Sequence, residues 1–312
     1  MKDITLVFPG QGSQYVGMGK DLLEAQELYS TEELNSLDFC LPSLMIEGPE
    51  EKLQLTEFTQ PSIVLHSTLM FRKLQRLLED KGHKISRVLG HSVGEYSALV
   101  ACGAMNLKDA VKAVHLRGKY MQEAVPVGVG AMFAIVRVPQ EIVAQACNEV
   151  SSNDSQVMCA NFNEPTQTVI SGHKEACDKA VEWLKNNYEG KQMAIPLKVS
   201  APFHSSLMKP AEEKLRNHLE TIEIQTATIP YIANIDAKQY LANKDIVLEN
   251  LTKQVCASVL WSQSISTLPE ESLFIEVGPG KVLTGLNKKI NKTLKTITLD
   301  SESGFQELEE LL

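Results

Sequence analysis

Apolar residues fall in two rhythms along this chain. Short, nearly unbroken runs of strand length alternate with longer stretches where apolar positions recur every three or four residues. Ile4-Thr5-Leu6-Val7-Phe8 is the first run, and it predicts a strand buried on both faces of a parallel sheet. It leads into Pro9-Gly10-Gln11-Gly12-Ser13-Gln14, a loop by its glycines and proline. Gln60-Pro61 opens a helical pattern through Ile63, Val64, Leu65, Leu69, Phe71, Leu74, Leu77 and Leu78, ending near Lys81-Gly82. A proline in the first turn is a normal helix start. Arg87-Val88-Leu89 ends a second strand, a helix follows over 95–102 with Gly103 as its stop, and another helix spans 106–124.

After Pro126 the rhythm changes. Strand 131–138, helix 139–150, strand 156–161, a turn at Asn163-Glu164-Pro165, strand 167–171, helix 174–187 and strand 192–199 follow in turn. That is β-α-β-β-α-β, the ferredoxin-like order. Further on come helix 210–219, strand 228–235, one or two helices over 245–261, strand 273–277, helix 281–290, strand 294–299 and helix 305–312. Outside the insertion, strands alternate with helices. The expected fold class is α/β. A hydrolase-like large subdomain with a mostly parallel sheet is built from 1–127 and 199–312, and a ferredoxin-like small subdomain, 128–198, is inserted into it.

Composition narrows the function classes. The chain has 312 residues and a formal net charge of -9, which gives no global case for nucleic acid or an anionic membrane. No apolar stretch approaches membrane-spanning length. The six cysteines form no CxxC pair and are expected to be reduced, buried thiols, with no metal site. Met1-Lys2-Asp3-Ile4 does not look like a signal peptide, so a cytoplasmic protein is expected.

The candidate chemistry centres on Gly90-His91-Ser92-Val93-Gly94. Strand, Gly-x-Ser-x-Gly, helix is the pattern of a nucleophile elbow. A serine hydroxyl stands on a sharp turn, and the new helix N-terminus favours a developing oxyanion. An ordinary strand-to-helix turn with a capping serine has the same pattern. A serine nucleophile needs a base, and seven histidines compete. His66 and His83 lie on or beside the long helix, His115 and His218 lie within helices, and His173 starts one. His91 should point away from its neighbour Ser92. His204 stands apart, in an irregular segment between Pro202 and the pair Ser205-Ser206, where a scaffold can fix a catalytic group. Gln11, at a strand's carboxyl end, is placed to meet a ligand, or to bond its own loop. Arg117, mid-helix, has the pattern of a solvated or snorkelling side chain. Two stretches free of acids, 190–211 and 277–299, carry Lys191, Lys198, Lys209, Lys281, Lys288, Lys289, Lys292 and Lys295. They form either solvated helix faces or a basic rim for an anionic ligand or acidic partner.

Taken together, Pro9-Gly10-Gln11-Gly12-Ser13-Gln14, Thr59-Gln60-Pro61, Gly90-His91-Ser92-Val93-Gly94-Glu95, Arg117, Phe203-His204-Ser205 and Glu276-Val277-Gly278-Pro279-Gly280 stand in one order at one spacing. This arrangement resembles the malonyl-CoA:acyl-carrier-protein transacylase family over nearly the whole chain. The resemblance implies malonyl transfer from malonyl-CoA to the phosphopantetheine thiol of acyl carrier protein, for fatty-acid elongation. It implies a malonyl-serine intermediate, a monomer, and no cofactor or metal. Ser92 would be the nucleophile and His204 its base. Gln11 and Val93 would supply oxyanion-hole N–H groups, and Arg117 would grip the malonyl carboxylate. The Gln254 carbonyl would orient His204, and Phe203 would restrict the acyl pocket, as in related polyketide acyltransferases that choose malonyl over methylmalonyl. The family uses no carboxylate to complete a triad. Val93 stands where Leu is common, and Ser258 where Pro is frequent. A malonyl acyltransferase serving a polyketide synthase, a serine esterase or thioesterase, and an idle carrier-docking protein are the competing readings.

Overall fold

The computed structural model describes residues 2–199 and 201–312. Strand β1 (Ile4–Phe8) is buried along its whole length, as its apolar run requires. Four short helices follow that no periodicity announced: α1 (Lys20–Glu24), α2 (Thr31–Leu34), α3 (Leu41–Glu47) and α4 (Glu50–Leu53). Then come α5 (Thr56–Asp80), β2 (Ile85–Gly90), α6 (Gly94–Ala101) and α7 (Leu107–Glu123). β3 (Gly130–Val136), α8 (Gln140–Val150), β4 (Val157–Glu164), β5 (Gln167–His173), α9 (Lys174–Asn187) and β6 (Met193–Pro196) form the predicted βαββαβ unit. The chain closes with α10 (Lys209–Leu219), β7 (Tyr231–Ile232), β8 (Gln239–Tyr240), α11 (Lys244–Gln254), α12 (Trp261–Ser266), β9 (Leu273–Val277), α13 (Val282–Ile290), β10 (Lys295–Leu299) and α14 (Glu302–Leu311).

Two sheets result. The larger runs β10-β9-β1-β2-β7-β8 and is parallel except where β8 turns back on β7. The smaller runs β4-β5-β3-β6, antiparallel throughout. A separate apolar core of Ile135, Val143, Ile170 and Leu184 lies under the smaller sheet. No helix among the described residues is long and apolar enough to cross a membrane.

The strand expected over 192–199 shortens to Met193–Pro196, β4 runs on through the turn expected at Asn163-Glu164-Pro165 as far as Glu164, and the last helix is Glu302–Leu311 rather than 305–312. Three further differences in bounds have a local reason. Helix α5 starts at Thr56, so Pro61 lies inside it rather than at its start. Proline cannot donate to the carbonyl four residues back, and His115 Nδ1 donates to that Glu57 carbonyl instead, at 2.8 Å. The strand expected over 228–235 shrinks to Tyr231–Ile232, because Ala233 N bonds back to Lys238 O at 3.0 Å in a tight hairpin. Of the one or two helices expected over 245–261, only one lies there: the next begins at Trp261, and the first stops at Gln254. Beyond it Val259 is drawn alongside β4, its N–H on Ala160 O at 2.8 Å and its carbonyl accepting from Phe162 N at 2.9 Å. Ser258 assists by donating to Cys159 O at 2.6 Å, a bond that proline could not make. The cysteines are all free, but Cys40 is exposed and Cys256 half-buried, so only four of the six are buried as expected.

His66, on α5, carries a stability prediction. It is 1% exposed, and its Nδ1 has no partner. Burial pulls its pKa from 6.5 down to about 4. A histidine buried neutral stabilises the fold above its unfolded pKa, and that contribution is lost as pH falls toward the folded value. The shift corresponds to about 3 kcal/mol. His66→Leu should therefore flatten the decline in stability between pH 6.5 and 4, read by urea denaturation at both ends. An unchanged decline would place the acid sensitivity elsewhere.

Candidate active site

Strands β1, β2 and β7 end side by side, and the candidate residues gather at their carboxyl ends, where parallel α/β sheets bind ligands. β1 delivers Gln11, β2 delivers His91 and Ser92, and β7 delivers Asn234. The turn after β2 is as tight as an elbow requires. Ser92 sits at φ 51°, in the left-handed region. A Cβ on Gly90 would lie 2.0 Å from the Gly94 carbonyl carbon, and one on Gly94 would lie 2.2 Å from Phe8 O. Only glycine fits either position. The capping alternative fails, because the Ser92 side chain caps nothing in α6.

Ser92 Oγ lies 2.7 Å from His204 Nε2. His204 is 3% exposed and has φ 55°. Its Nδ1 donates to the backbone carbonyl of Gln254 at 2.8 Å, which leaves Nε2 free of its proton and able to accept from the serine. No carboxylate contacts this imidazole among the described residues. Burial first, and the Arg117 charge second, pull the His204 pKa to about 3, while the Gln254 carbonyl pulls the other way. The imidazole is therefore neutral near pH 7, as a base must be.

Arg117 is where residue-level pattern misleads. A mid-helix arginine suggests a solvated side chain, yet this one is 1% exposed. Nη1 donates to Gln60 Oε1 at 2.8 Å, and Nη2 to Gln254 Oε1 at 2.9 Å and Ser92 Oγ at 3.2 Å. Nε has no partner. All of these acceptors are neutral. A buried cation whose hydrogen bonds go only to neutral oxygens is costly, and burial lowers the Arg117 pKa from its ordinary value, against the pull of the nearby Tyr96 and Glu95. Gly118, next in sequence, lets α7 approach α5 this closely, since a Cβ there would meet Thr56 O at 2.6 Å.

The remaining expectations can be placed. Gln11, Val93 and Phe203 line the same cavity as Ser92, Arg117 and His204, together with Met121, Met132 and Leu197. Gln11 Nε2 donates to Thr56 Oγ1 at 3.3 Å, not to its own loop. Among the described residues, neither the Gln11 nor the Val93 backbone N–H is engaged. His91 Nε2 donates to Asn163 Oδ1 at 2.8 Å and its ring packs against Trp261, so it is not the serine's partner. The basic rim is partly neutralised: Lys209 pairs with Glu212 at 2.5 Å and Lys289 with the buried Glu164 at 3.6 Å.

Sequence reasoning missed three polar residues. Gln60 was visible only as part of a motif. Glu95 follows the elbow, wholly buried. Asn234 Oδ1 accepts from Ser92 N at 2.8 Å, and its Nδ2 donates to Gly90 O at 2.7 Å. An asparagine directly after the apolar run Tyr231-Ile232-Ala233 was the available signal, since such positions face the ligand side of a parallel sheet.

A profile of the acyl transferase domain matches residues 5–302. The chain belongs to that acyl transferase family. This acyl transferase is 43% identical over 320 residues to the malonyl CoA-acyl carrier protein transacylase of Bacillus subtilis, covering 99% of this chain and 98% of the relative. It is 40% identical to the protein of that name from Escherichia coli K12, each chain covered fully at 100%. Among solved structures, a malonyl-transacylase in complex with its type II polyketide acyl-carrier protein superposes with a TM-score of 0.90 at 38% identity, covering 99% of this chain and 100% of that one. The Streptococcus pneumoniae enzyme superposes with a TM-score of 0.89 at 38% identity, with the same coverage.

Proposed function

We propose that this acyl transferase moves malonyl from malonyl-CoA to the phosphopantetheine thiol of acyl carrier protein, in the cytoplasm, to supply fatty-acid elongation. Ser92 attacks the thioester carbonyl while His204 takes its proton. The tetrahedral oxyanion forms against the unengaged N–H groups of Gln11 and Val93. Collapse expels coenzyme A as its thiol, protonated by His204, and leaves malonyl on Ser92. His204 then deprotonates the carrier thiol, which attacks the ester and restores the serine. Arg117 holds the malonyl carboxylate through its planar fork, and the Phe203 ring limits room beside the α-carbon. The sequence relatives, each of them a malonyl CoA-acyl carrier protein transacylase by name, support the donor and acceptor.

The observation that carries the reading is the fully buried Arg117, bonded to neutral acceptors 3.2 Å from the serine oxygen. An esterase has no use for a buried cation there, whereas an acyl group ending in a carboxylate supplies the directly bonded anion that the guanidinium lacks. Intact-protein mass spectrometry with malonyl-CoA alone tests it. The expected result is a malonyl adduct that Ser92→Ala lacks and that holo-carrier protein discharges. Steady release of coenzyme A without adduct would mean a hydrolase, and neither adduct nor release a binding protein. The type II polyketide complex at 38% identity favours one second reading, a polyketide carrier as acceptor. Discharge rates with fatty-acid and polyketide carriers side by side decide between them.

A further inference from the structure

Under the nucleophile lies a carboxyl group that the transfer chemistry does not use. Glu95 stands in the first turn of α6 and is 0% exposed. Its Oε2 accepts from Gln254 Nε2 at 2.7 Å and from the Asn234 backbone N–H at 3.2 Å. Its Oε1 is buried without a partner. We infer that Glu95 is a positioning residue: it fixes which way round the Gln254 carboxamide lies, and through Gln254 and Asn234 it holds Arg117, His204 and the Ser92 turn in register. The inference rests on the malonyl-transfer reading above.

A carboxyl oxygen facing two N–H groups accepts from both. The Gln254 amide nitrogen is therefore turned toward Glu95, and its oxygen is turned toward Arg117 Nη2, 2.9 Å away. With Glu95 ionised and the carboxamide reversed, an NH2 group would face the guanidinium donors and an oxygen would face the carboxylate, and both contacts would be repulsive. Gln254 also donates to Ser92 O at 3.0 Å and offers its backbone carbonyl to His204 Nδ1 at 2.8 Å. One residue thus touches the nucleophile, its base and the cation, and Glu95 sets its orientation. The second arm runs through Asn234, whose side chain bridges Ser92 N and Gly90 O across the elbow.

The arrangement is sensitive to the charge on Glu95. Burial raises its pKa to about 7, against the opposing pull of the bonds from Gln254 and Asn234. The charged and titratable groups facing it are Arg117 on α7, which favours the ionised form, and Asp236 beyond β7, which opposes it. Tyr96 on α6 and Tyr231 on β7 also face it, and both are pushed up by burial and stay neutral. Gln254, on α11, carries no charge. As pH falls through 7 the carboxyl takes a proton, Oε2 becomes a weaker acceptor, and the hold on Gln254 loosens.

The test is single-turnover acylation of Ser92 by malonyl-CoA from pH 6 to 8.5, for the wild type, Glu95→Ala and Glu95→Gln, with thermal melts beside each. Glu95→Ala should acylate about 100-fold more slowly per folded molecule, the scale of a small misplacement of reacting groups. Glu95→Gln keeps an acceptor oxygen and should recover at least about ten-fold of that loss. The wild-type rate should fall toward pH 6 more steeply than the Glu95→Gln rate. Ionisation of coenzyme A is common to both and cancels in the ratio. Acylation of folded Glu95→Ala within about three-fold of wild type, or matching pH profiles for wild type and Glu95→Gln, would overturn the inference. If Glu95→Ala does not fold, the Glu95→Gln profile still decides. A wild type that forms no adduct at any pH would count against the malonyl-transfer reading instead.

Discussion

Arg117→Ala should lose malonyl transfer by about 100- to 10,000-fold in kcat/KM while sparing or raising acetyl transfer. The magnitude follows from two charge-assisted bonds to a carboxylate, each contributing about 1.5–3 kcal/mol. The selectivity has a second source. Arg117 Nη2 lies 3.2 Å from the serine oxygen, and its charge is part of what depresses the His204 pKa. On the proposed reading a malonyl carboxylate neutralises that charge, so His204 should become a stronger base when malonyl is seated. Acetyl-CoA brings no such charge and meets a weaker base. Removing Arg117 lifts this handicap, which is why acetyl transfer can rise. Arg117→Lys keeps the charge but loses the fork, and should fall between the two. Competition between malonyl-CoA and acetyl-CoA measures the effect, with a melt to confirm folding, since Gln60 and Gln254 each lose a donor. Equal loss of both activities would remove Arg117 from the carboxylate site.

The residues that were legible in the sequence are those whose local pattern and final role agree. The run Ile4–Phe8 is apolar because β1 is buried on both faces, and it carries no ambiguity. The elbow reads from its glycines because backbone crowding at Gly90 and Gly94 excludes any side chain. Arg117 is different. Its place on α7 is a local fact, but its burial depends on α5 and α11, which bring Gln60 and Gln254 against it from far along the chain. Only the resemblance to a family, not the residue's surroundings in sequence, marked it. Asn234 was invisible for the same reason, and Glu95 was legible only as the end of the elbow motif and not by its role, since their partners lie more than a hundred residues away. The small helices between Lys20 and Leu53 span two turns at most, too few repeats of the apolar period for pattern to reveal them.

His204→Ala should slow Ser92 acylation by about 10,000-fold or more, the largest effect expected short of removing the serine itself. The hydroxyl bonds to His204 Nε2 at 2.7 Å and accepts from Arg117 Nη2 at 3.2 Å. Without the imidazole only the arginine contact remains. It holds the oxygen in place but cannot remove its proton. The other histidine lining the cavity cannot substitute, because His91 Nε2 is committed to Asn163 and burial lowers its pKa. What survives in the variant is binding and the oxyanion donors, so the KM for malonyl-CoA should change far less than kcat. The Nδ1 partner shapes the wild type further. A backbone carbonyl holds the ring orientation without a negative charge, so the imidazolium formed in the transition state gains less than it would from an aspartate. A malonyl carboxylate held by Arg117, as proposed, would offset this by neutralising the positive charge that depresses the His204 pKa. Single-turnover kinetics on His204→Ala separate these roles. A loss of about 10,000-fold at unchanged substrate affinity assigns proton transfer to His204. Acylation within about ten-fold of wild type would mean that another group takes the serine proton.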